Sequence, residues 1–367
     1  MFNFQMDNAL NLHGLIGGSQ KQTIEQKTFG LVKYLGVNTG TVYQFDKNTA
    51  LSNRSVIHVD NAGNWGKFKV TYFDGKTIDS PHIIERVNRS IGIQSTGEHF
   101  FYFYSIPSDT GHMRMDVLNT DGAFIKTKIL EIYPQEAVSV VEDRERKRFI
   151  VSASDGTYNG YCEIYVFDEN FILSNRFTGK NNVNSQFFPT FTGETKIKDG
   201  IIYSRTYKTA SEECMFIKYD YWNNKTLATM PLKTRDFVCV STKLGLIYIL
   251  GEKKIYNFNL VIFSHNVTDV WFLINTESKE NYKLSWVSCQ NPNGENDDLI
   301  LVNGQGNVLT LRLEKTKEGV NRTKVVGSFS ATNTNGWDSD IPNKNSRIST
   351  KGDVLLGVWS EYGLIRR

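Results

Sequence analysis

Residues 161–177 read YCEIYVFDENFILSNRF, two runs of β-branched and aromatic residues joined by Asp168-Glu169-Asn170. Alternating apolar residues on either side of an Asx-type turn are the pattern of an antiparallel hairpin. Two more runs precede it, AVSVV at 137–141 and RFIVSAS at 148–154, so 137–177 holds four strand-length segments. The charged run Asp143-Arg144-Glu145-Arg146-Lys147-Arg148 between the first two is of mixed sign and reads as a solvated hairpin tip.

The same scheme returns along the chain. HFFYFYSI (99–106) and MRMDVL (113–118) lead through Asn119-Thr120-Asp121-Gly122 into AFIKTKIL (123–130), and GIIYSRTY, CMFIKYDYW and TLATMPL follow one another from residue 200. GLIYILG, KKIYNFN and LVIFSH come next, then KLSWVS, DLILVNG and NVLTLRLE. Placing the starts near Gly40, Arg89, Ala137, Gln186, Asp236 and Tyr282 separates them by 49, 48, 49, 50 and 46 residues. A four-strand unit at such a period predicts an all-β, blade-built ring, a β-propeller. The ends supply a further blade. RIST, DVLLGVW and YGLIRR are three strands where four are needed, and TFGLVKYLG (28–36) is one strand too many at the other end. Joined, they make seven blades and leave no open sheet edge in the ring. TVYQFD (41–46) carries the aromatic-Asp step found elsewhere in third strands; read as an outer hairpin of the closing blade, it gives six blades. Residues 1–27 are expected to be an arm outside a single domain spanning 28–367.

The segment IYVFDENFILSNRFTGK resembles the outer hairpin of NHL-type propeller blades, where an aromatic-Asp step leads through a turn into an outer strand. The usual turn glycine is missing here. The WD40 signatures, a Gly-His pair and a terminal Trp-Asp, do not occur at blade positions, and Ser152-Ala-Ser-Asp155-Gly156 has the wrong spacing for a sialidase-type Asp-box. The resemblance therefore bears on fold alone.

Composition narrows function mainly by exclusion. With 42 basic and 39 acidic side chains the formal charge is +3, which gives no general field for nucleic acid or an anionic membrane. No apolar run approaches the ~20 residues of a membrane-spanning helix, and the first residues lack the basic and apolar regions of a signal peptide, so a cytoplasmic or virion setting is expected. Cys162, Cys214, Cys239 and Cys289 have neither metal-ligand nor disulfide-framework spacing and are read as reduced thiols. The six histidines show no ligand spacing, and no P-loop, G-x-G-x-x-G or G-x-S-x-G is present, so neither a metal, a cofactor nor a catalytic residue is assigned.

Recognition is left to loops. In a propeller the connections between second and third strands, and between one blade and the next, share one end of the ring. Those connections collect Asn64, Trp65, Asp109, His112, Asp155, Tyr158, Lys180, Asn182, Trp337, Asp338 and Asp340. Aromatic side chains beside Asn and Asp suit a polar peptide or a glycan, which both need a flat apolar face and hydrogen-bonding groups. The sequence thus points to a non-catalytic module that binds protein partners in a larger assembly, with the tail or receptor-binding parts of bacteriophages as one analogy. The alternative is a propeller enzyme acting on carbohydrate, a glycosidase or lyase whose carboxylates meet only in three dimensions.

Overall fold

The computed structural model describes residues 30–36, 48–60, 66–132, 137–154, 161–180, 195–208, 213–232, 238–249, 254–260, 262–264, 286–289, 297–303, 308–315, 321–329, 346–358 and 361–366. Gly30–Gly36 (β1) is the first described strand. Thr49–Leu51 (β2), Ser55–Asp60 (β3), Gly66–Tyr72 (β4) and Thr77–Ile84 (β5) form the first complete sheet; Arg89–Ser95 (β6), His99–Ile106 (β7), Asp109–Asn119 (β8) and Phe124–Leu130 (β9) form the second. The third holds Ala137–Asp143 (β10), Arg148–Ser154 (β11), Tyr161–Asp168 (β12) and Leu173–Lys180 (β13). Thr195–Lys198 (β14), Ile201–Lys208 (β15), Glu213–Asp220 (β16) and Lys225–Leu232 (β17) make the fourth. Val238–Ser241 (β18), Leu246–Ile249 (β19), Lys254–Asn257 (β20) and Ile262–Ser264 (β21) make the fifth. Trp286–Cys289 (β22), Leu299–Asn303 (β23), Val308–Lys315 (β24) and Asn321–Phe329 (β25) make the sixth. Ser346–Ile348 (β26), Val354–Val358 (β27) and Glu361–Arg366 (β28) form the seventh together with β1, which pairs antiparallel with β28.

Each sheet is four-stranded and antiparallel, a meander of consecutive strands in all but the seventh, and the longer strands were legible because the sheets bury both faces. In β7 the alternation sends Phe101 and Phe103 into a cluster with Phe149, Val151 and Tyr165 of the third sheet. Phe100, Tyr102 and Tyr104 go the other way, against Phe68, Val70 and Ile57 of the first. A strand covered on both sides has no polar face to show, which is why HFFYFYSI is an unbroken apolar run. Ile150, Ile164 and Val166 of the third sheet meet Ile202, Ile217 and Tyr219 of the fourth, and Tyr203 and Phe216 of the fourth meet Val240 and Ile247 of the fifth. Leu355 and Leu364 of the seventh sheet pack on Leu51 and Val56 of the first. Each fully buried side chain of this size contributes about 1.5–3 kcal/mol.

The turns between third and fourth strands share one construction. Asn119 Oδ1 accepts from the N–H groups of Asp121 and Ala123, at 2.9 Å each, and Asp168 Oδ1 from those of Asn170 and Ile172, at 2.9 and 2.8 Å. A left-handed residue follows: Gly122 (φ 75°) in the second sheet and Asn224 (φ 50°) in the fourth. In the third sheet that position is Phe171 (φ 59°), which explains the missing turn glycine. Its ring stacks on Phe149 at 4.8 Å and sits 3% exposed in the core, so burial offsets the cost of the left-handed backbone.

All seven outer strand pairs contain a register shift, at Lys67/Lys69, Val117/Leu118, Val166/Phe167, Lys218/Tyr219, Ile255/Tyr256, Thr310/Leu311 and Leu31/Lys33. Such bulges raise the local twist and blunt an exposed edge. β1 carries this irregularity although it reaches its sheet from the opposite end of the chain.

The constant period expected from the sequence is corrected by the structure. Inner strands begin at residues 49, 89, 137, 195, 238, 286 and 346, so their spacing runs from 40 to 60 residues. The starts at Arg89 and Ala137 hold, whereas those at Gly40 and Gln186 lie nine residues early. The aromatic run QFFPTF drew the latter start forward, while the inner strand itself is the short, partly polar TKIK. Both parts of the period vary: the fifth sheet is confined to 238–264 whereas the third spans 137–180, and the links between sheets run from 85–88 to 265–285. TVYQFD and the arm at 1–27 lie outside the described residues.

Candidate functional site

In an antiparallel meander, the connection from second to third strand and the one leaving the fourth strand lie at the same end of the sheet. In this chain that end carries the long segments: 181–194, 265–285 and 330–345 lead from one sheet to the next. At the other end the links are mostly short, such as 52–54, 96–98, 120–123 and 169–172, the longest being 290–298. Those short turns also contact one another. Thr350 Oγ1 bonds Asn53 Oδ1 at 2.5 Å, the Asn53 N–H donates to Gly97 O at 3.0 Å, and Asn53 Nδ2 donates to Glu98 Oε1 at 2.8 Å. Turns of the seventh, first and second sheets are thereby tied together.

Among the predicted site residues, Asp109 and His112 have described side chains. They stand at the start of β8, where His112 Nδ1 lies 2.6 Å from Asp109 Oδ1 and an Arg114 guanidinium nitrogen lies 3.7 Å from Asp109 Oδ2. His112 is 46% exposed, and the buried Arg114 Nε has no hydrogen-bond partner among the described residues. The carboxylate bridges an imidazole and a guanidinium, a polar contact point at the long-connection end. Lys180 is the last residue of β13. Asn64, Trp65, Asp155, Tyr158, Asn182, Trp337, Asp338 and Asp340 lie outside the described residues; their numbers fall in the connections 61–65, 155–160, 181–194 and 330–345.

The structure also reveals polar groups that sequence reasoning missed, at the seams between sheets. Asp116, 1% exposed in β8, accepts from Thr127 Oγ1 at 2.6 Å and Tyr104 OH at 3.2 Å, and lies 2.8 Å from His82 Nε2 of the first sheet. The His82 ring is stacked between Phe68 and Phe124, with centroids at 5.7 and 4.6 Å. One sheet on, Glu163 of β12 repeats the device. It accepts from Arg176 at 2.7 and 3.2 Å and from Tyr165 OH, and Arg176 reaches Glu131 of the preceding sheet at 2.7 Å. Each carboxylate lies opposite a threonine of the fourth strand, Thr127 or Thr178, although Glu163 stands two residues farther from its turn than Asp116 does. Burial first, and then the neighbouring carboxylate, pushes the Tyr104 and Tyr165 hydroxyls up, so both stay neutral donors. These groups fasten sheet to sheet. The available signal was a carboxylate interrupting an apolar third strand, in MRMDVL and in YCEIYVF.

Two other histidines are structural. Burial pushes His58 down to about 4, with Lys69 adding to the effect and Asp60 opposing it. Burial likewise lowers His99, whose Nδ1 has no partner among the described residues and whose ring meets Phe149 and Phe171 edge-on at 5.5 and 5.4 Å. In both cases the unfolded chain takes up its proton first, so the stabilisation is complete above pH ~6.5 and is lost as pH falls toward the folded value. For His58 the loss should reach about 3 kcal/mol by pH 4. Glu142, raised by burial, acts in the opposite sense. Urea midpoints at pH 7 and pH 4.5 should differ clearly in the parent protein and less in His58→Gln; equal shifts in both would contradict the assignment.

No family model matches the chain, and no curated protein matches it significantly. Among solved structures, a chain of the mitotic checkpoint complex superposes with a TM-score of 0.52 at 11% identity, over 92% of this chain and 95% of that one. It belongs to a set of WD40 and propeller-type structures. The fold is a β-propeller. Two other propeller-type neighbours are BBS1N in complex with ARL6DN (TM-score 0.48, 9% identity, 93% and 97% covered) and the WD40 domain of Toxoplasma gondii coronin (0.41, 7%, 94% and 86%). At such identities the likeness concerns the propeller fold alone. Among the described residues no cluster of His, Cys, Asp or Glu could hold a metal ion, and no helix is long and apolar enough to cross a membrane. Cys162 is buried, in the cluster between the third and fourth sheets.

Proposed function

We propose that the protein is a seven-bladed propeller, closed by β1 in its last blade, that serves as a non-catalytic protein-binding module of a larger assembly. The observation that carries this reading is the asymmetry of the connections. One end of the sheets is fastened mostly by short turns, the longest link there being 290–298, and the other bears the three longest connections, 181–194, 265–285 and 330–345. Irregular segments held on a rigid scaffold are where recognition residues concentrate. The inter-sheet carboxylates are saturated with donors, which suits a scaffold that keeps its shape while its loops engage a partner. Closure is supported by the β1–β28 pairing and by the cluster joining Leu51 and Val56 to Leu355 and Leu364. Neighbours seen in multiprotein complexes are in keeping with a protein partner. A bacteriophage tail or receptor-binding assembly is one setting for such a module, and its aromatic and Asn/Asp loop residues would suit a glycan there.

The test compares two tryptophans. Trp337 belongs to the connection 330–345, whereas Trp286 opens β22. Burying an aromatic side chain against a partner is worth about 1.5–3 kcal/mol, so Trp337→Ala should reduce recovery of co-purified partner roughly tenfold or more. Its melting temperature should match the parent, while that of Trp286→Ala falls. If Trp337→Ala leaves partner recovery unchanged, or melts as low as Trp286→Ala, the residue is a packing group and this end loses its role.

A further inference from the structure

A second surface, independent of the long connections, lies on the outer edge of the second sheet. β9 is the last strand of that sheet, so one side of its backbone has no neighbouring strand among the described residues. Its exposed side chains include Phe124, Ile125 and Ile129, at 46, 42 and 55%. Outer strands β5 and β17 contain Pro81 and Pro231, which cannot donate to an incoming strand, but β9 contains no proline. The neighbouring edge strand β13 has its cation committed, since Arg176 is paired with Glu163 and Glu131. On β9, Lys126 reaches a backbone carbonyl, Asn170 O at 3.3 Å, and Lys128 forms no ion pair among the described residues. Burial and then the Lys126 charge lower the Lys128 ammonium, with Asp168 opposing them, and an anion placed there would offset the repulsion between the two lysines.

The ladder sorts these side chains by face. Lys126 and Lys128 lie opposite Val117 and Met115, which face the third sheet. Thr127, between them, binds Asp116 on the side of the first sheet, and Ile129 stands two residues on, whereas Ile125 is the unpaired residue of the bulge. We infer that β9 accepts an extended, acidic segment of a partner protein as a fifth strand. The regular part of the edge begins at Lys126, so the segment's alternate apolar side chains would lie beside Thr127 and Ile129, and its alternate carboxylates beside Lys126 and Lys128. Cross-strand pairs of both kinds favour such an addition, and main-chain hydrogen bonds supply the rest. An anionic membrane would also take apolar and basic groups, but it would leave the edge N–H and C=O groups without partners.

The probe is a fluorescent peptide of four Val-Glu repeats, titrated against the full chain by anisotropy. Binding is expected, with affinity falling as salt rises. The double variant Lys126→Glu/Lys128→Glu should weaken it roughly tenfold or more and should instead bind four Val-Lys repeats. A peptide N-methylated at alternate residues should not bind, because the ladder cannot form. Thermal melting of the variant should stay close to that of the parent, as neither lysine is fully buried and neither belongs to a hydrophobic cluster. Failure of the Val-Glu peptide to bind overturns the inference, as does binding that survives the double variant or N-methylation. Phosphatidylserine vesicles that bind the parent and not the variant, with no peptide binding, would replace the strand by a membrane.

Discussion

Replacing Asp116 with Ala is expected to cost about 3–5 kcal/mol of stability, which urea unfolding followed by tryptophan fluorescence would read as a large fall in midpoint. The side chain is almost fully buried and gathers Tyr104, Thr127 and His82, three polar groups from three strands. Removing it leaves the Tyr104 hydroxyl buried without its acceptor and opens space at the seam between first and second sheets. His82→Ala should cost less, because that ring is partly exposed and Tyr104 and Thr127 keep their acceptor. Asp116→Asn, nearly isosteric, should fall between the two. If Asp116→Ala is no more harmful than a surface substitution, the seam does not depend on this carboxylate.

Removing residues 1–36 should be equally damaging for a different reason. β1 covers β28 through six paired positions, from Gly30↔Arg366 to Gly36↔Glu361. Without it β28 becomes an edge strand, and Leu364, buried against the first sheet, belongs to a three-stranded sheet. An uncovered strand of this kind templates association with other copies. The truncated protein is expected to elute largely as aggregate in size-exclusion chromatography, while removal of 1–20 should leave elution and melting temperature unchanged. A soluble, equally stable truncation at residue 36 would mean that β1 contributes little.

These two predictions differ in how visible their basis is before a structure exists. β1 could be read from sequence because strand counting is local: three runs at one end and one at the other. β7, β8, β11 and β12 were legible because sheets packed on both faces leave long apolar runs. The inner strands β2 and β14 were not, since three or four residues such as TKIK carry too little pattern to stand out from neighbouring aromatic connections. Asp116 and Glu163 could have been suspected, as charges inside apolar strands, but their partners His82 and Glu131 come from a different sheet and no spacing rule links them. Of the recognition end, the sequence offered a list of loop residues, and the structure adds the Asp109–His112 contact and the contrast between long and short connections. Loop side chains answer to a partner more than to the chain's own core, so periodicity says little about them.

The proposed closure of the ring is tested most directly by a cross-link. Leu35 and Tyr362 are partners in the β1–β28 ladder, and a paired position brings two Cβ atoms to about 4.5–5.5 Å, within reach of a disulfide after small adjustment. The double variant Leu35→Cys/Tyr362→Cys should oxidise nearly completely under mild conditions, with the linked peptides identified by mass spectrometry and the melting temperature raised. A control pairing Leu35→Cys with Ile348→Cys, on the far strand β26 of the same sheet, should not form. Absence of the 35–362 bond, or equal cross-linking of the control, would contradict a ring closed by β1.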